Sequence, residues 1–145
     1  MTHSQPSSFF LKSRRVVTPE GVRPAKILIV KGEVVAVNDY GGTLDGELAA
    51  LEVEDVGDLV ISPGVIDAHV HINDPGSDWE GFESATHAAA AGGVTMLVDM
   101  PLNSLPVTTS VAALQTKQEA SSGKLWVDVG LYGGLVQNNA EQLQA

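Results

Sequence analysis

The feature that most narrows what this chain can fold into is a regular alternation after Ser62. Apolar runs open at Val65, Val94 and Leu125, and a helical pattern lies between each run and the next. Val65 to His71 reads as a short buried strand, with Val65, Ile66, Ala68 and Val70 as its apolar set. Trp79 to Ala91 reads as a helix with Asp78 as N-cap and Gly92-Gly93 as a stop. The run Ala88 to Ala91 lets that helix approach a sheet closely. Val94 to Met100 is the second strand, and Ser110 to Ala120 the second helix, capped by Thr109 or Ser110 with Val111 and Leu114 inward. Leu125 to Leu131 is the third strand, and Asn138 to Ala145 starts a third helical pattern. Buried strands alternating with helices specify a parallel sheet with crossover connections.

Three such units cannot close on themselves. A (β/α)8 barrel needs roughly 250 residues, with about 200 as a floor, whereas this chain has 145 in all. An open three-stranded parallel sheet leaves apolar edges uncovered. The alternatives are a compact open α/β domain or the front part of a longer protein, and the expectation is the second.

Residues 1–61 are of another kind. Residues 1–8 are polar and expected to fray, His3 among them. Arg14 to Thr18, Lys26 to Lys31 and Glu33 to Asp39 are rich in Val and Ile, with Gly32 and Gly41-Gly42 ending or separating the runs. Glu47 to Glu54 is acidic and ambiguous, and Val53 to Val60 reads as another strand. The module is β-rich and holds no constellation of reactive side chains, so its role is structural. The domain organisation is therefore 1–61 β-rich and 62–145 β-α.

Composition removes several partner classes. A net charge of −10 argues against nucleic acid and against an anionic membrane. Six of the eight Lys and Arg lie in the first 31 residues, but Lys12, Arg14, Arg15, Arg23, Lys26 and Lys31 are interleaved with strand-like residues. They read as the solvated face of strands rather than a binding arm. With no Cys, any metal must be held by His and carboxylate. Phe9-Phe10-Leu11 is too short for a signal-peptide core, and no run approaches a membrane span. A cytoplasmic protein is expected.

The chemistry is concentrated in Ser62-Pro-Gly-Val-Ile-Asp-Ala-His-Val-His-Ile-Asn-Asp-Pro-Gly76. His69 and His71 are two apart, so on a strand both imidazoles face one way, at its carboxyl end. Two neutral imidazoles converging there suit a divalent ion such as zinc. A bare His-x-His is otherwise two polar residues at a strand end, satisfied by water or backbone. His87, mid-helix, is an exposed helix histidine rather than a ligand. Trp79 and Phe82 either line the mouth of a site or anchor the helix start, and Trp126 and Tyr132 are packing residues. Gly133-Gly134 brings backbone close to a ligand or simply turns the chain.

With these residues in view, the chain resembles the amidohydrolase superfamily, in its cyclic amidohydrolase group and nearest the allantoinases. The resemblance rests on the His69-x-His71 strand, Val70-His-Ile-Asn-Asp-Pro-Gly76, Trp79-Glu-Gly-Phe82, Ala89-Ala-Ala-Gly-Gly-Val-Thr95, Asp99-Met-Pro-Leu-Asn-Ser104 and Leu125-Trp-Val-Asp-Val-Gly-Leu-Tyr-Gly-Gly134. Asp99 to Ser104 is its narrowest signal. Gln137-Asn138 stands where allantoinases more often have Pro-Gly. The resemblance is weak over 1–20 and 40–52.

It implies an α/β fold: the first three β-α units of a metal-dependent (β/α)8 hydrolase barrel, preceded by part of a small composite β-sandwich. It implies His69 and His71 as ligands of the more buried of two zinc ions. In relatives a carboxylated lysine bridges the two, and further ligands and a catalytic aspartate come from later strands. None of Lys12, Lys26, Lys31, Lys117 and Lys124 sits at a strand carboxyl end, so no bridging lysine and no catalytic residue is assigned here. Asp67 and Asp99 are expected to support the ligands: Asp67 by orienting an imidazole, Asp99 by ordering the loop after it, with a core hydrogen bond or a direct part in catalysis as its alternatives.

Asn73 stands where dihydroorotase-like relatives carry a carboxylate-gripping Arg. Its amide both donates and accepts, which suits a neutral ureide. Asn103 is at a family substrate-contact position, and for both asparagines loop-turn chemistry is the competing role. The implied reaction is opening of the hydantoin ring of allantoin to allantoate, in ureide breakdown, by a homo-oligomer when full length. The alternatives are a hydantoinase, dihydropyrimidinase or dihydroorotase-like enzyme, which Asn73 and Asp99 to Ser104 oppose, and a non-catalytic relative acting in assembly. Alone, these 145 residues are expected to be inactive.

Overall fold

The computed structural model describes residues 7–143. His3 and most of the stretch expected to fray lie outside them. The chain divides into two compact units, Met1–Pro63 and Gly64–Ala145.

The first unit is a five-stranded sheet built on a long β1 (Ser8–Thr18). β2 (Gly21–Val30) pairs antiparallel with one edge of β1, and β3 (Glu33–Asp39) antiparallel with β2. Lys31 and Gly32, with φ of 52° and 83°, make the two-residue β2–β3 turn. Positive φ at both positions gives the twist a tight hairpin needs, and glycine takes it without strain. The other edge of β1 is shared by two short parallel strands, β4 (Glu52–Asp55) beside its first half and β5 (Val60–Ile61) beside its second.

The break between those halves lies where the β1–β2 register shifts, between Ser13 and Val16. Ser13 is fully buried there, accepting from the Arg15 N–H and bonding the carbonyls of Gly57 and Leu59. Val16, Ala25 and Ile27 form the core with Ile29 and Ile61 against them.

Three expectations for this unit change. Ser8 already belongs to β1, where fraying was expected. The single strand read at Val53 to Val60 is two, separated by a turn, and the ambiguous acidic stretch holds a 3-10 turn, Gly46–Ala50. Lys26 is buried rather than solvated, because its ammonium turns inward to the Gly42 carbonyl.

The second unit is a three-stranded parallel sheet in the order β6 (Val65–Val70), β7 (Val94–Asp99), β8 (Asp128–Leu131). Helix α1 (Phe82–Ala91) joins β6 to β7, and α2 (Val111–Ser121) joins β7 to β8. Ile72, Phe82 and Leu97 make the core, with Ala85, Ala89, Ala120, Val129 and Leu131 packed on it. Gly92-Gly93 ends α1, Gly93 taking φ 81°. Ser110 caps α2, its Oγ accepting from Ala113 N–H.

The start of α1 is not where local pattern put it. Asp78 is no cap, and the helix begins three residues after Trp79, behind Gly81. The acceptor at its N-terminus comes from the loop after β6: Asp74 Oδ2 takes the Phe82 N–H at 3.3 Å and also meets Lys124 Nζ at 3.1 Å. A Cβ on Gly81 would lie 2.8 Å from that same oxygen, so glycine is what lets the carboxylate in.

β8 starts at Asp128 rather than Leu125. α2 turns Ala113 and Lys117 inward, with Val111 and Leu114 half-buried. The third helical pattern is a 3-10 turn, Ala140–Leu143, where described. β6 is an edge strand, and Val65 and Ile66 stay 59% and 61% exposed, not buried as a barrel strand would be.

Candidate metal and substrate site

The C-terminal end of β6 carries the site. β6 ends at Val70, so His69 lies on the strand and His71 one residue beyond it. The two rings keep the common direction expected of i and i+2, with centroids 5.3 Å apart and planes at 60°. Two imidazoles sharing one tetrahedral zinc at ordinary bond lengths put their centroids roughly 5 Å apart, so this pair fits one ion. Both residues are exposed. They line a hollow of about 410 Å³ together with Asp67, Glu80 and Ala85. Among the described residues no group of three or more His, Asp or Glu is arranged to hold a metal. A catalytic zinc normally keeps three protein ligands, and two imidazoles alone fall short of that number.

A second hollow, of about 310 Å³, is lined by His71, Asn73, Trp79, Glu80 and Asn103. It brings together four residues singled out from sequence that lie up to 32 positions apart (103 − 71). Asn73 is buried, and its backbone N–H donates to Glu80 O at 2.9 Å. Asn103 takes φ 69°, the left-handed conformation asparagine tolerates. It thus performs turn chemistry and faces the hollow at once.

The loops after β6 and β7 are held together beneath. Leu105 N–H donates to Pro75 O at 2.8 Å, and a Cβ on Gly76, at φ 88°, would lie 2.8 Å from the Leu105 carbonyl oxygen. Only glycine permits that approach.

Of the two supporting carboxylates, Asp67 differs from expectation in what it touches and Asp99 does not. Asp67 accepts from the backbone N–H of His69 at 3.1 Å, not from an imidazole. On an exposed edge strand the nearest unpaired donor is its own backbone, and the side chain takes it. Asp99 is fully buried; Oδ1 accepts the Ile72 N–H at 2.7 Å and Oδ2 pairs with the Lys117 ammonium. The core hydrogen bond is thus present, with the ion pair beside it.

Lys117, passed over because it does not sit at a strand carboxyl end, reaches Asp99 at the end of β7 through its side chain. Glu80 also escaped the sequence reading, although it lies inside Trp79-Glu-Gly-Phe82. Its backbone bond to Asn73 and its place in both hollows are set by the loop. Trp79 is 81% exposed and lines the mouth rather than anchoring α1, a role Phe82 takes with no exposure at all. His87 is exposed and lies edge-on to Trp126, 4.9 Å between centroids, on the outer side of α1. Trp126 and Tyr132, read as packing, are 61% and 47% exposed, outside β8 on either side.

The model of the amidohydrolase family matches residues 60–143. The chain is 51% identical to the allantoinase of Streptomyces avermitilis, over 92% of this chain and 30% of that protein. It is 47% identical to the allantoinase of Arabidopsis thaliana, over 91% of this chain and 26% of that one. Among solved structures it resembles the L-hydantoinase of Arthrobacter aurescens, with a TM-score of 0.78 and 32% identity over 94% of this chain and 30% of that one. It also resembles the dihydropyrimidinase of Brevibacillus agri, with a TM-score of 0.75 and 30% identity over 94% and 29%. The chain therefore spans less than a third of the length of these relatives. A family match that starts at β5 and runs through both histidines, both asparagines and Asp99 leaves one conclusion: the chain belongs to the amidohydrolase family.

Proposed function

We propose that this chain is the front part of a metal-dependent cyclic amidohydrolase that opens the hydantoin ring of allantoin. In this reading the second unit supplies the first three β-α units of a (β/α)8 barrel, and the first unit supplies part of a composite β-sandwich. His69 and His71 are two ligands of a zinc ion, whose further ligands come from strands beyond this chain. A zinc ion there polarises a ring carbonyl and lowers the pKa of a water. The residues of this chain bind and orient. Asn73 and Asn103 present amides that both donate and accept, and Trp79 gives the ring an apolar wall. Asp67 and Asp99 fix the backbone on either side of His71. The proton-shuttling aspartate lies outside the chain.

The observation that carries the substrate class is the lining of the smaller hollow. It holds His71, Asn73, Trp79, Glu80 and Asn103, with no Arg or Lys among the described residues. A substrate carrying a carboxylate would want a cation fork there, whereas a neutral ureide matches paired amides. That favours allantoin over dihydroorotate, as does the 41–51% identity to allantoinases of bacteria and plants. The likeness to hydantoinase and dihydropyrimidinase structures supports a second reading, since those neutral rings would also suit the amides. A cytoplasmic homo-oligomer is part of the proposal.

The test is ring opening of allantoin, hydantoin and dihydroorotate by the full-length protein, with metal content by elemental analysis. Zinc together with preference for allantoin supports the proposal. Preference for hydantoin moves the assignment to the second reading. A metal-free, inactive full-length protein would point to a role in assembly.

A further inference from the structure

The ion pair of Asp99 and Lys117 is the most deeply buried charged group in the second unit, with side-chain exposures of 0% and 1%. Burying two charges is costly, and an apolar pair of similar volume is often as stable or more so. Stability of α2 on the sheet therefore does not explain why charge is used. What an apolar pair could not supply is the pair's two remaining bonds. Asp99 Oδ1 accepts from the N–H of Ile72, the residue between His71 and Asn73, at 2.7 Å. Lys117 Nζ donates to Ser104 Oγ, next to Asn103, at 3.4 Å, and Ser104 Oγ in turn donates to Pro106 O at 3.2 Å. Ile72 and Ser104 are each 1% exposed, so both bonds are closed to water.

We propose that Asp99 and Lys117 form a positioning clamp, an ion pair whose carboxylate end sets the His71–Asn73 wall of the hollow and whose ammonium end sets the Asn103 wall. The clamp makes no contact with substrate. It fixes the spacing between the two amide-bearing walls, and it couples both to α2, outside the site. This inference rests on reading the hollow as the cyclic-amide site. Misplacing a binding group by about 1 Å costs on the order of 100-fold in rate, so the clamp has a kinetic signature as well as a structural one.

The test uses the full-length protein and two variants. Asp99→Asn with Lys117→Met keeps the acceptor for Ile72 N–H, removes both charges and leaves neither one stranded. Ser104→Ala keeps the ion pair and cuts the arm towards Asn103, together with the bond from Ser104 Oγ to Pro106 O. Amide hydrogen exchange is read over residues 70–75 and 101–107, with β1 to β3 as internal control, and kcat and KM are read on whichever ring the parent opens.

In the double variant the 101–107 segment is expected to exchange at least about tenfold faster, with kcat/KM lower by roughly 100-fold and exchange in β1 to β3 unchanged. Ser104→Ala is expected to loosen 101–107 alone and raise KM about fivefold with kcat within about twofold. Unchanged exchange over 101–107 in both variants overturns the clamp, as does unchanged kcat/KM in a double variant whose loop has loosened. If the double variant does not fold, Ser104→Ala decides by the same two readouts. A parent that opens none of the rings overturns the function proposed above, and the exchange comparison still decides the clamp.

Discussion

Asn103 shows how one residue serves two ends, and substitution can separate them. Its φ of 69° costs most side chains about 1 kcal/mol or more, and glycine nothing of that kind. Asn103→Gly should therefore keep the turn and lose the amide: an unchanged melting temperature with KM raised about tenfold, one to two hydrogen bonds' worth. Asn103→Ala should lose both, adding a fall in stability of about 1 kcal/mol in a denaturant titration. Equal KM for Asn103→Gly and the parent would leave turn chemistry as its whole role. His69 and His71 separate differently, since both are exposed and neither supports the core. Replacing both with Asn in the full-length protein should leave the circular dichroism spectrum intact while bound zinc falls below about 0.1 equivalent per site. Ring opening should drop at least about 1,000-fold. Retention of metal by that variant would remove the pair from the ligand set.

At the scale of elements, the informative case is the start of α1. Asp74→Ala removes the oxygen that holds the Phe82 N–H and should destabilise the protein by about 1–2 kcal/mol, whereas Asp78→Ala should be neutral within about 0.5 kcal/mol. Thermal and urea unfolding of both variants checks this, and equal effects would refute it. The Lys124 contact adds little to the difference, because its side chain is 42% exposed and surface pairs are weak. The same case explains what the sequence made legible. The apolar run at Val94, the Gly92-Gly93 stop and the Ser110 cap are decided by neighbours within a turn, and all three are where pattern reading placed them. Asp78 had the composition of a cap, but the acceptor came from Asp74 in the preceding loop, which local spacing does not reveal. Lys117 is the same lesson in a helix. Its partner Asp99 is 18 positions back (117 − 99), at the end of a strand, so charge pattern along α2 alone says nothing of its burial. Glu80 joins the site through a loop whose course depends on Asn73, and no spacing rule marks it.

The whole molecule is governed by what its parallel sheet leaves open. In the order β6-β7-β8, the outer edges of β6 and β8 pair with no strand among the described residues. On β6 itself Val65 and Ile66 are exposed by 59% and 61%. Each such side chain forgoes about 1.5–3 kcal/mol of burial, and free parallel edges template association. In the proposed reading the His69–His71 end of β6 is open for the same topological reason, further ligands standing on strands next to those edges. Both deficits should therefore be relieved together. The 145-residue chain on its own should bind zinc weakly, open no ring and associate at micromolar concentration. The full-length protein should hold zinc, act on allantoin and show a defined oligomer. Elemental analysis, the ring-opening assay and light scattering on the two proteins side by side check each part. Ring opening by the short chain would show that two imidazoles and the groups around them suffice, and the argument that missing strands complete the site would fall.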